Sequence, residues 1–375
     1  MVHHKHFFHF LIFRRFTEIK ALYSVVFLKS FAMSLISIFI PVYLYLLGYG
    51  LGQIAVFFLI YSALATIFVF VAGHSVKKIG IKATILIANI LNICGYLALA
   101  FLRYNPMFFY LAAVLLGAFL TLFWVPFHTD MADNLKRKKM AQGFGTLNIV
   151  SVLAAAVAPL IGSLIASVSF FTLFIISALI ILISIVPLFF AKGTKEKATF
   201  NVKETFSHFT WRRFLGGIGF GGEHLTFYAY WPLFLFLIIS IKGLGLVTTI
   251  MFITSGFFIY FISKVIDKKG PNKVMRPWII VNTIAWPFRL IKFLAIPFHI
   301  TYAFLEGLTK LPYNVKTYKV GKRGREINAI AFREICIQLG RVIACIPIII
   351  FPTFVTAFIA AAGFSFIQVF YSYEK

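Results

Sequence analysis

Hydrophobic positions in this chain do not alternate. They run in unbroken blocks of about 18 to 25 residues separated by short polar connections. Blocks of that length match the ~20 residues that carry an α-helix across the hydrocarbon core of a bilayer, whereas a membrane barrel would show shorter segments of alternating polarity. The pattern predicts twelve helical spans, at roughly 22–47, 51–72, 83–102, 107–130, 142–166, 169–191, 214–239, 243–264, 276–296, 298–315, 327–350 and 354–371. Pro287 and Pro297 interrupt the ninth and tenth, which are joined by a short turn. The fold class is therefore an all-α polytopic membrane protein, with no room for a soluble domain.

Composition agrees. Of 375 residues, 61% are hydrophobic and 13% charged, against about a quarter charged in an ordinary soluble domain. The net charge of +25 would suggest a nucleic-acid partner if it were spread over one surface. Instead Lys and Arg gather in alternate connections: Lys77, Lys78 and Lys82; residues 136–139; 192–213; 264–276; 316–325. The intervening connections hold little beyond Arg103, Lys242, Arg289 and Lys292. That alternation follows the positive-inside rule, placing both termini in the cytoplasm of an inner cell membrane, with lipid headgroups rather than nucleic acid as the partner of the basic loops. Cys94, Cys336 and Cys345 fall inside spans, so no disulfide framework is expected. The N-terminus lacks a small-residue cleavage site and is expected to lie along the inner membrane face. His3, His4 and His6 read as a solvated cluster, and no metal or cofactor is expected.

Several phrases occur twice. Residues 122–131 read LFWVPFHTDM and residues 308–317 read LTKLPYNVKT: Leu, three residues, Pro, an aromatic ring and a polar side chain. Lys136 and Arg137 follow the first copy at the distance at which Lys322 and Arg323 follow the second. Pro126 and Pro312 are 186 residues apart, Gly80 and Gly270 190, Pro41 and Pro232 191, Pro159 and Pro347 188. Landmarks repeated in order at half the chain length indicate a duplication. The expected organisation is an N-terminal segment (1–21), a first six-helix bundle (22–191), a cytoplasmic linker (192–213), a second bundle (214–371) and a short tail (372–375), working as a monomer.

The loops after spans two and eight, GHSVKKIGIK and SKVIDKKGPNK, resemble the signature loop of the major facilitator superfamily: Gly or Ser, three residues, Asp, a basic residue, one residue, Gly. Ser263, Asp267, Lys268 and Gly270 fit it; Gly73, Lys78, Gly80 and Lys82 fit, while Lys77 stands where the family has Asp. Span five, AAAVAPLIGS, is similar to the glycine-rich pattern of the family's exporter branches, with small residues replacing several glycines. The family's arginine-centred pattern in span four is missing, since residues 111–125 contain no Arg. The resemblance implies two pseudo-symmetric six-helix bundles around a cavity lined by spans one, four, seven and ten. It also brings Asp130 and Asp133 within reach of the first loop, to pair with Lys77 or Lys78 unless both acids face water. Gly80 and Gly270 suit sharp reversals that need positive φ. Pro126 and Pro312 are expected to end or kink spans four and ten as gating bends, with His128 and Asn314 satisfying a freed carbonyl.

Ionisable residues inside apolar spans are costly and point to function. Glu223 and His224 lie roughly 15 Å into span seven at 1.5 Å per residue, after GGIGFGG, a run whose bare backbone admits another helix or a substrate. Glu306 is central in span ten, with Lys310 one turn on; Lys29 lies in the inner half of span one. Span eleven carries Glu326, Arg333, Glu334 and Arg341 along one stripe, where span five has only Leu147 and Asn148 opposite Arg333 and Glu334. The structural alternatives are that Lys29 snorkels to headgroups and that Arg333 and Glu334 pair with Lys310 or Glu306. Glu223 is the first candidate for proton carrier or substrate contact. Lys29, Lys310, Arg333 and Arg341 nearly balance Glu223, Glu306 and Glu334, so charge alone selects no substrate.

With no GxxxxGK[ST] phosphate loop, an ion gradient, expected to be protons, supplies the energy. The reading is a secondary active transporter of a small solute, tilted to export. A transporter-like sensor or assembly protein stays open because of Lys77 and the absent span-four Arg. An intramembrane lipid-processing enzyme would need HExxH, GxSxG or an Asp-rich repeat, and none occurs.

Overall fold

A computed structural model describes residues 18–134, 151–190, 198–320 and 325–374, and every regular element among them is a helix. His3, His4, His6, residues 136–139, Leu147, Asn148, Lys322, Arg323 and the Asp133 side chain lie outside the described residues. Span one is Glu18–Ile36, a 3₁₀ turn Ser37–Phe39 and Ile40–Leu46, with Pro41 tolerated in the first turn of the last piece. Leu51–Ile79, Ile81–Phe101 and Met107–Asn134 form spans two to four. Ala158–Val168 and Phe170–Phe190 belong to spans five and six, and Val202–Ser207 is a short helix of the linker. Span seven begins as Trp211–Leu225 and passes through a π-helical turn, Thr226–Tyr230, into Trp231–Lys269, which also contains span eight. Pro271–Phe288, Lys292–Val320, Glu326–Ile350 and Phe354–Ile367 are spans nine to twelve.

Among the described residues, seven stretches are long and apolar enough to cross a membrane by length and composition, and one of these, Trp211–Lys269, is divided at Ser240. Lys292–Val320 and Glu326–Ile350 fall outside because polar and charged residues are interspersed along them. Burial is inverted relative to a soluble protein. Ile67, Leu182, Ile183, Ile253 and Phe257 point outward, while Lys29, Glu223, Arg289, Arg333 and Glu334 are buried. A continuous apolar exterior suits lipid.

The duplication extends to the backbone. Among the described residues, positive φ occurs at Gly48 (92°), Gly80 (87°), Ser240 (71°) and Gly270 (85°). Gly80 and Gly270 each end one helix, bonding Val76 O and Ile266 O, and begin the next, as their matching loops predict. Gly48 and Ser240 form the second matched pair, in the turns after spans one and seven. The tripeptide Gly-Leu-Gly follows each, at 50–52 and 243–245, a repeat the landmark prolines had overshadowed.

Packing follows the same two-fold logic. Within the first half, spans two and three pack on four, and one and three on six; within the second, seven packs on eleven and twelve, and nine on ten and twelve. Between halves, span two meets eleven and span eight meets five. A Cβ on Gly52 would touch Pro352 and the Ile349 carbonyl, and one on Gly245 would collide with Ser163 and the Pro159 carbonyl, so each Gly-Leu-Gly copy brings its span against the opposite half.

Of the two alternatives for the gating prolines, that they end their spans is overturned. Both helices run through them, to Asn134 and to Val320, so Pro126 and Pro312 sit inside spans four and ten rather than ending them. His128 and Asn314 do not serve their own helix either. His128 Nδ1 meets the Tyr318 hydroxyl at 2.5 Å, and Asn314 Oδ1 accepts from Arg333. A neighbouring helix offers these side chains partners that the freed carbonyls would have to compete for.

Candidate functional site

Glu223 and His224 are adjacent in sequence and part company in space, because successive helical residues are turned by about 100°. Glu223 is buried inside the second half, against spans nine and twelve. Its Oε1 accepts from Asn282 Nδ2 and, at 3.1 Å, from Trp286 Nε1, and its Oε2 accepts from Gln368 Nε2. Asn282 Oδ1 in turn accepts from Arg289 Nη2 at 3.0 Å, which fixes the amide so that its nitrogen faces Glu223. Every partner of the carboxyl is a donor, a setting that suits a carboxylate held in place. Arg289, expected in a connection, is 1% exposed and lies over Trp286 at 4.0 Å. The GGIGFGG run serves this packing: a Cβ on Gly221 would lie 1.9 Å from Ile337 O, and one on Gly219 2.5 Å from Phe364 O. Bare backbone here admits helices, not substrate.

His224 turns toward the interface between the halves. Its Nδ1 lies 3.0 Å from Arg341 Nη2, its ring stacks on Phe220 at 5.3 Å, and Tyr228 sits 4.2 Å from it. Tyr228 belongs to the π-helical turn that precedes Pro232, a residue without the N–H a regular ladder needs. Such turns re-aim side chains and recur at functional sites. Lys310 and Arg333 also lie within electrostatic reach of His224, and Tyr61 of span two is within reach of Arg341. His224, Tyr228, Glu306, Lys310 and Arg341 are only half-buried on helices whose flanking positions are largely buried, so they face an interior space.

The charges around this space are partly paired. Lys310 Nζ and Glu306 Oε1 are 2.8 Å apart, one turn along span ten, so they pair with each other rather than with span eleven. Arg333 pairs with its neighbour Glu334 and bonds Asn314, rather than reaching Lys310 or Glu306. Arg341 bonds Gln338 and His224, both uncharged acceptors. Lys29 is 2% exposed and does not snorkel: its ammonium lies 4.5 Å from the Phe119 ring centre and also over Phe123, with no hydrogen-bond partner among the described residues. Glu326 is buried at the start of span eleven.

Apolar packing closes both ends of the interface. On the linker side, Val69, Phe123 and Val125 of the first half share one core with Leu308, Leu311 and Ile335 of the second. On the far side, Val42, Leu44 and Phe57 share another with Tyr230, Trp231 and Ile348. The signature loops flank the linker side. Lys77, Lys78 and Lys268 are exposed, Asp130 and Asp267 half-buried, and Gly73 lies directly beneath Phe200 of the linker. Asn328 of span eleven ties the linker down, accepting from Asn201 N at 2.9 Å and donating to Thr199 O at 3.1 Å.

Sequence reasoning missed Asn282, Trp286, Gln368 and His299, none of which carries a formal charge. His299 accepts from Trp231 Nε1 at 2.8 Å, so its proton is on Nε2, facing Thr248 at 3.0 Å. A polar residue in each of several apolar blocks was the available signal.

A profile described as Major Facilitator Superfamily matches residues 22–345. No curated protein sequence matches the chain. Among solved structures, the human organic anion transporter MFSD10 (TETRAN) superposes with a TM-score of 0.70 at 14% identity, over 94% of this chain and 98% of that one. The nucleoside transporter NupG gives 0.66 at 13%, over 94% and 97%. The transporter FucP, in an outward conformation, gives 0.67 at 15%, also over 94% and 97%. At such identities the likeness is one of fold.

Proposed function

This chain belongs to the major facilitator superfamily, and on that premise we propose that it carries a small solute across the inner cell membrane by alternating access, coupled to protons. It is an integral membrane transporter rather than an enzyme. The observation that carries the finer reading is the half-buried cluster of His224, Tyr228, Glu306, Lys310 and Arg341 between two apolar closures formed jointly by the halves. Rocking the halves about such a site opens one closure while keeping the other. Coupling is assigned to the Glu306–Lys310 pair and His224 rather than to Glu223, whose carboxylate is already engaged by three donors. A proton on Glu306 neutralises one partner of the 2.8 Å pair and frees Lys310. The basic loops support cytoplasmic termini, the span-five pattern supports export, and the protein is read as a monomer.

The neighbours' names cover an organic anion, a nucleoside and, for a second FucP structure, a fucose:proton symporter, so the fold alone chooses no cargo. The test is flux in proteoliposomes under an imposed pH gradient, followed with an entrapped pH dye against a metabolite panel. A solute-dependent proton flux lost in Glu306→Gln supports the reading. Net solute uptake or efflux with no accompanying proton flux removes the coupling, and no solute movement of any kind points to a sensor.

A further inference from the structure

We propose that the space between the halves binds a small organic monoanion, an apolar or aromatic carboxylate, with its charged end on Arg341 and His224. The inference rests on the transport reading above and names its cargo.

Hydrogen-bond bookkeeping carries it. A guanidinium has donors and no acceptor, so at the 3.0 Å Arg341–His224 contact Arg341 must donate and His224 Nδ1 must accept. The neutral ring then carries its proton on Nε2. Neither that Nε2–H nor the Arg341 Nε–H has a partner among the described residues, although both nitrogens are buried. Two buried donors left without an acceptor, on side chains that are otherwise half-buried, call for one, because a buried donor without an acceptor is destabilising.

Charge bookkeeping sets the valence. Glu306 cancels Lys310 and Glu334 cancels Arg333, leaving Arg341 with no acidic partner among the described residues, while Lys29, likewise without one, is buried against the Phe119 and Phe123 rings instead. Glu223 does not change this count, because its carboxylate faces Asn282, Trp286 and Gln368 on the other side of span seven. One uncompensated guanidinium is neutralised by one negative charge, which favours a carboxylate over a phosphate dianion. Tyr228, half-buried beside His224, offers the apolar remainder of the ligand a ring, while Phe220, stacked on His224, and Tyr313, stacked on Phe220 at 4.7 Å, are buried in the second half's own core.

The test uses the full chain in nanodiscs with benzoate, phenylacetate and octanoate, against benzamide, benzylamine and phenyl phosphate, read as binding by calorimetry. At least one carboxylate binds, benzamide and benzylamine do not, and Arg341→Gln weakens the carboxylate at least about tenfold. Arg341→Lys recovers part of that loss, and His224→Phe weakens binding while leaving the unliganded melting temperature close to wild type. Benzamide or benzylamine binding as tightly as the carboxylates, phenyl phosphate outcompeting them all, carboxylate binding indifferent to Arg341→Gln, or no carboxylate binding overturns the inference. Counterflow of the same compounds separates the two readings. Carboxylate binding without counterflow keeps the anion site and contradicts transport; counterflow of benzamide or benzylamine alone keeps transport and overturns the anion site.

Discussion

His128 and Tyr318, 190 residues apart, meet at 2.5 Å across the interface between the halves. His128 lies within the first copy of the phrase repeated around Pro126 and Pro312 and Tyr318 directly follows the second, so the duplicated segments contact each other on the linker side. Tyr318→Phe removes this bond, worth about 1 kcal/mol, and raises the population open on the linker side about fivefold. Spin labels at Lys78 and Lys268, in a Cys94→Ser background because Cys94 is the exposed cysteine, report this as added weight at long distances. An unchanged distance distribution contradicts a closing role.

Glu223→Gln and His224→Gln are expected to do different things. Glu223→Gln places an amide among three donors and lowers stability by about 1–3 kcal/mol, read as a lower melting temperature, while flux per folded molecule is kept. His224→Gln leaves the melting temperature nearly unchanged and impairs flux. The opposite assignment restores Glu223 as the proton carrier.

Ser240 occupies a backbone region, φ 71° and ψ 173°, that essentially only glycine tolerates. Ser240→Gly, which restores the residue its duplicate carries at Gly48, is expected to stabilise the protein by about 1 kcal/mol. Thermal denaturation in detergent reads this directly, and a lower melting temperature refutes it.

Gly221→Ala is expected to force spans seven and eleven apart, because its Cβ would meet backbone rather than a movable side chain. Overpacking of this kind costs about 1–3 kcal/mol. Gly363, with open space around it, serves as the control, and Gly363→Ala is expected to be silent.

Much of this architecture was legible in the residues. Apolar block length placed the helices, and the repeat located the loops where Gly80 and Gly270 take positive φ. The one-turn spacing of Glu306 and Lys310 was visible, but the pairing expected for them was with Arg333 and Glu334 of span eleven. What adjacency concealed was direction: Glu223 and His224 read as a pair until the helix turns one toward spans nine and twelve and the other toward eleven. Arg289 looked like a loop charge because Pro287 interrupts its block, yet the chain folds it over Trp286. Partners such as Asn282 and Gln368 stand out as polar residues in apolar blocks, but they come from distant spans and no local pattern says what they pair with.

The central claim is alternating access, and it can be tested without knowing the cargo. Tyr228→Cys in the Cys94→Ser background places a thiol at the site, for a membrane-impermeant reagent applied to either side of sealed proteoliposomes of known orientation. Labelling from both sides, with solute or pH shifting the balance between them, is the predicted result. Labelling from one side only under every condition would contradict the account and leave a static, transporter-shaped protein.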